Sequence, residues 1–139
     1  MVLHRRDWIV RQIEQIAEVL ARLLDRILRR ELSGDVVRAE LDAVGRSLGL
    51  DMELAHRVSA ETLLLLVSPT GDIEPARCWL FAETFYLEGL QAHMNGDGDE
   101  ASDLLARARL LFQAMADGEL HLPGMAEAGE RVREIDRLA

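Results

Sequence analysis

Side chains able to do chemistry are few and widely spaced in this 139-residue chain. Histidines stand at His4, His56, His93 and His121. A zinc hydrolase needs two histidines one helical turn apart with a glutamate between them, and a carboxylate-bridged di-iron site needs Glu-x-x-His on two helices. Neither pattern occurs, so each histidine reads as a surface or helix-end residue. Cys78 beside Trp79 becomes a nucleophile only if a histidine folds against it, and on an apolar helix it reads as a buried structural thiol. Asn95, Asp97 and Asp99 alternate like the opening ligands of a calcium loop. Glu100 then stands where the sharp turn requires glycine, and Ala106 where the closing glutamate belongs, so these acids read as a helix N-terminus. No glycine-rich phosphate loop is present. The chain is therefore expected to carry no catalytic residue, no cofactor and no metal.

The elements that hold these residues read as helices throughout. No alternation of β-branched residues persists, and no Asn-Gly turn links two strand-like runs. A first helix is expected from Asp7, as N-cap, to about Arg30, with Ile9, Ile13, Ile16, Leu20, Leu23 and Ile27 along one seam. Val10, Ala17, Leu24 and Leu28 widen that seam beyond what one neighbour covers. A second helix ends at Leu48 with Gly49 in the left-handed conformation. Asp51 and Ser59 cap two short helices, the first with Leu54, Ala55 and Val58 inward. A long helix spans about Ile73 to Met94, with Pro75 in its first turn. Asp97 and Glu100 form a capping box for the next, whose Ala101, Leu104, Leu105, Ala108, Leu111, Phe112 and Met115 share one face. Pro123 opens a last helix with Met125, Ala128, Val132 and Ile135 inward. Short connections make sequential helices antiparallel neighbours. The expected fold is one all-α domain over 1–139, an antiparallel bundle of about six helices.

Charge narrows the partners. All 16 basic residues are arginine, and against 25 acids they leave a net charge of −9. The arginine-only set fits arginine-biased codon usage, with a salt-adapted acidic surface as the alternative. Residues 1–30 hold seven arginines and four acids, so the excess of acid lies in the rest of the chain. An acidic body repels phosphate backbones, which excludes nucleic acid as the expected partner. No uncharged apolar run is long enough for a transmembrane helix. Arg5-Arg6 resembles a twin-arginine export signal, but Arg11, Glu14, Glu18 and Arg22 interrupt the apolar run such a signal needs. With a single cysteine, the expectation is a cytoplasmic protein.

Phe85, Gly89, Ala101, Leu105 and Ala108 fall at the spacing of a tetratricopeptide repeat, and the segment of about 82–116 resembles one such hairpin. Two positions depart from the pattern, Glu88 where leucine is usual and Ala92 where tyrosine is usual. More widely, Arg6-Asp7-Trp8-Ile9-Val10-Arg11-Gln12-Ile13-Glu14, Ser59-Ala60-Glu61-Thr62-Leu63-Leu64, Gly71-Asp72-Ile73-Glu74 and Ala82-Glu83 are similar to a family of small, uncharacterised bacterial proteins with a tetratricopeptide-like fold. The resemblance implies an all-helical fold and transfers no catalytic residue.

The first helix carries the functional expectation. Its apolar surface spans two seams, with Trp8 at its start, and an uncovered patch of that size marks an interaction site. The chain is expected to be a non-enzymatic interaction domain that homodimerises through Trp8, Ile9, Ile13, Ile16, Leu20 and Leu23. The alternatives are a tetratricopeptide-like groove holding a peptide of another protein, membrane-surface attachment disfavoured by Glu14, Glu18 and Asp25, and an enzyme with an unrecognised site.

Overall fold

The computed structural model describes the backbone of residues 2–122 and 124–138 and the side chains of residues 11–122 and 124–138. Seven helices make up the regular structure of those residues: α1 (Val2–Leu28), α2 (Gly34–Ser47), α3 (Met52–Arg57), α4 (Ala60–Leu66), α5 (Pro75–Met94), α6 (Gly98–Asp117) and α7 (Ala128–Leu138). Short polar side chains start four of them. Ser33 accepts from the Val36 amide, Asp51 from Leu54, Ser59 from Thr62 and Asp97 from Glu100. Each such cap is worth about 1 kcal/mol against alanine. Helix α5 has no side-chain cap; Pro75 sits in its first turn, where a missing N–H costs nothing. Gly49, at φ 73°, closes α2, and Gly96, at φ 79°, turns α5 into α6.

Helix α5 is the axis of the molecule. Every residue from Cys78 to Ala92 is buried, because α1, α2 and α6 surround it. Helix α6 lays the expected seven-residue face, Ala101 to Met115, into the core and carries α4 and α7 on its flanks. The two long helices meet where Gly89 has no side chain: a Cβ there would lie 2.7 Å from Leu105 Cγ and 3.2 Å from Leu105 N.

Three local expectations need correction. Helix α1 begins at Val2, so Asp7 is an interior residue rather than the cap; nothing upstream of it, neither proline nor glycine, breaks the helix. In α3 the cap at Asp51 fixes the phase so that Met52 and Ala55 turn inward and Leu54 stays exposed. Helix α7 starts at Ala128; Met125 is half-buried in the preceding turn, and Pro123 lies outside the described residues.

The seam of α1 also has a different destination. Ile13, Ile16, Leu20, Leu23 and Ile27 are buried within the subunit, with Ala17 and Leu24 half-buried beside them. Neighbouring α2 and α5 supply the covering faces. Of the residues expected to face a partner, Ile13, Ile16, Leu20 and Leu23 are thus core residues of their own chain. The side chains of Trp8 and Ile9 lie outside the described residues. Only Val19 and Leu28 remain as exposed large apolar groups on the described part of this helix.

Candidate functional site

A helix buried on every side is expected to be apolar, yet α5 carries Glu83, Thr84, Glu88 and Gln91 into the interior. Buried polar groups need partners, and three of these four find them far along the chain. Thr84 donates back to the Leu80 carbonyl at 2.8 Å. Gln91 Nε2 donates to the Leu32 carbonyl at 3.0 Å, and Arg30 Nη1 to that of Met94 at 3.0 Å, so the α1–α2 connection is tied to the end of α5. The two glutamates each organise an array.

Glu83 receives a bidentate pair from Arg131 of α7, Nη2 to Oε1 at 2.7 Å and Nε to Oε2 at 3.1 Å. Arg131 also donates to Glu134 at 2.8 Å and lies over the Tyr86 ring, 4.5 Å from its centroid. The Tyr86 hydroxyl donates to Glu134 at 2.9 Å. Burial pushes the Glu83 carboxyl above its ordinary range while Arg131 pulls it back. Burial and the bond to Glu134 push the Tyr86 phenol up to about 12. Each nitrogen of Arg131 and the Tyr86 hydroxyl meets an acceptor within this array, so it acts as a strut that fixes α7 to the axis.

The second array is different because one of its atoms is left over. His56, on α3, places Nδ1 2.6 Å from the Met52 carbonyl and Nε2 2.7 Å from Glu88 Oε2. A carbonyl only accepts, so Nδ1 carries a proton, and the contact to Glu88 shares the second. Burial works against a charged ring, as does Arg38, but the bond to Glu88, its charge and the Met52 carbonyl prevail and raise the His56 pKa. Both ring nitrogens thus face acceptors, the arrangement that favours the doubly protonated ring. The His56 ring meets Phe85 edge-on with centroids 5.1 Å apart, and Arg107 donates to the Ala55 carbonyl at 3.1 Å while pairing with Asp103 at 3.4 Å. Glu88 Oε1, in contrast, is buried without a hydrogen-bond partner among the described residues.

Glu88 lies in the wall of a cavity of about 180 Å³ between α2, α5 and the start of α6. Asp35 and Arg38 come from the first turns of α2, Gln91 from α5, and Asp97 and Glu100 from the α5–α6 turn and the first turn of α6. The bond to Asp97 raises the Glu100 pKa, with burial and the charges of Asp97 and Glu88 acting the same way and Arg38 opposing. At the other end of α5 lies an apolar groove of about 290 Å³, lined by Ile13 of α1, Leu48 and Leu50 after α2, and Ala76 and Leu80 of α5.

His56 stands in the last turn of α3, a helix end as expected, but its ring is mostly buried against Glu88 rather than at the surface; His93 and His121 are exposed, and the side chain of His4 lies outside the described residues. Glu88 was the available signal, as an acid at a position where the hairpin pattern has leucine. Cys78 is buried and its Sγ lies 3.5 Å from the Leu111 carbonyl, with burial pushing the thiol up to about 12. Among the described residues no group of three or more histidine, cysteine or acidic side chains is placed to hold a metal ion. No described helix is long and apolar enough to cross a membrane. No family model matches the chain, and no curated protein or solved structure gives a significant match.

Proposed function

We propose that the chain is a non-enzymatic protein-association domain that pairs with a second copy of itself through the first turns of α1 and the groove beside them. The position of that groove carries the reading. Arg30 reaches the Met94 carbonyl and Ile13 shares the groove with Leu80, so α1 runs parallel to α5. Helix α1 starts at Val2, so it continues for some three turns beyond the groove, past the start of α5 at Pro75. That segment of the sequence holds Trp8 and Ile9 together with Arg5, Arg6 and Arg11, whereas the rest of the molecule carries the acid excess. In a two-fold pair one helix supplies both the apolar insert and one wall of the receiving groove, so each contact is made twice. The arginines of one copy then approach the acidic body of the other, which offsets the repulsion between two chains of net charge −9.

Light scattering tests this. The reading expects about twice the chain mass of 15.6 kDa at micromolar concentration and a monomer for Trp8→Glu. A wild-type chain that stays monomeric overturns it. The tetratricopeptide-like alternative draws on the close approach of Gly89 to Leu105 in the α5–α6 hairpin, but burial of α5 from Cys78 to Ala92 leaves that stretch no broad open face for a peptide. Cys78, held as a buried thiol, fits a reducing, cytoplasmic setting and makes a poor nucleophile.

A further inference from the structure

We propose that the cavity between α2, α5 and the start of α6 is a binding site for an organic cation bearing N–H donors, an ammonium or guanidinium head, with Glu88 Oε1 as its innermost acceptor. The Glu88 side chain is 5% exposed. One of its oxygens is occupied by His56, which takes no part in lining the cavity, and the other has no partner. An acceptor left bare in the interior is costly, and a small turn of the Glu88 carboxyl toward the cavity it lines lets one entering N–H group satisfy it. The remaining lining has the sign such a guest needs. Asp35, Asp97 and Glu100 stand around the opening with Arg38 as the single opposing charge. A space of about 180 Å³ takes a small planar or tetrahedral head group and little more. A guanidinium suits it best, because its fork of donors serves Glu88 and a rim carboxylate at once. The site lies at the opposite end of α5 from the groove of the proposed dimer, so the two readings stand or fall separately.

The test is a titration of the ¹⁵N-labelled full chain with methylguanidinium, and with tetramethylammonium at matched ionic strength, followed by amide shifts. Methylguanidinium is expected to give saturable shifts at Arg38, Glu88, Gln91 and Glu100. Tetramethylammonium carries the charge without N–H donors and is expected to give none. Glu100→Gln weakens the affinity about three- to tenfold and Arg38→Gln strengthens it by a similar factor. Both residues are exposed at the rim, so these variants keep the fold, whereas Glu88→Gln also breaks the pair with His56. A peptide with one arginine that binds more tightly than methylguanidinium assigns the guest to a protein side chain; the reverse order assigns it to a small molecule, and either order upholds the site. Equal responses to the two cations, or affinities unchanged in Glu100→Gln and Arg38→Gln, overturn the proposal.

Discussion

His56 couples the stability of the fold to pH. Its folded pKa lies above the ordinary 6.5, so the imidazolium–Glu88 pair contributes fully below that value. The contribution is lost as pH rises through the raised folded value. Urea denaturation at about pH 6 and about pH 9 checks this: the wild type is expected to lose stability between them, and His56→Gln, which cannot titrate, to lose less. Equal losses in the two proteins contradict the pairing. Arg131 makes a stronger claim of the same kind. Its partner Glu83 is 4% exposed, so Arg131→Ala leaves a carboxylate buried without its cation. Such a cut costs about 3–5 kcal/mol, readable as a drop in the denaturation midpoint. None of these pairs follows from periodicity. Glu83 meets Arg131, and Glu88 meets His56, only through the packing of separate helices, and residue spacing reports only on neighbours one or two turns away.

Helices themselves were far more legible, because their signals are local. Asp51, Ser59 and Asp97 cap as their positions before apolar-periodic segments suggest, and the inward face of α6 follows the helical repeat from Ala101 to Met115. The start of α1 was not legible, since Asp7 is equally at home inside a helix that no breaker interrupts. Nor was the destination of its seam: a periodic stripe states that a face is covered, without stating by which chain. This difference is measurable. Leu20 and Leu23 are each 2% exposed, so either changed to alanine is expected to cost about 2–5 kcal/mol of stability. Variants of a face covered only by a second copy would instead change the mass in solution. At the α5–α6 crossing, Gly89→Ala gains helix propensity of about 1 kcal/mol. It must also push Leu105 aside, and a net loss of about 1–2 kcal/mol is expected in thermal or urea unfolding, because the Leu105 backbone limits the retreat.

At the scale of the whole molecule, a buried axis with polar side chains tied to α3, α7 and the α1–α2 connection separates two openings of opposite character. One opening is apolar and lies beside the basic start of α1; the other is acidic and lies at the far end of α5. The all-helical class was readable from composition and period. The two openings were not, because the apolar one joins three segments distant in sequence and the acidic one joins residues 34–38 to 88–100. The apolar one carries the account of function, and sedimentation equilibrium of the wild type and of Ala76→Arg over a range of micromolar concentrations tests it most directly. Ala76 is half-buried in the groove wall in the first turn of α5, where an arginine fills the groove while leaving the core intact. The account predicts a wild-type mass rising to twice 15.6 kDa and a folded, monomeric variant. A monomer for both, or a dimer that Ala76→Arg leaves untouched, would contradict it.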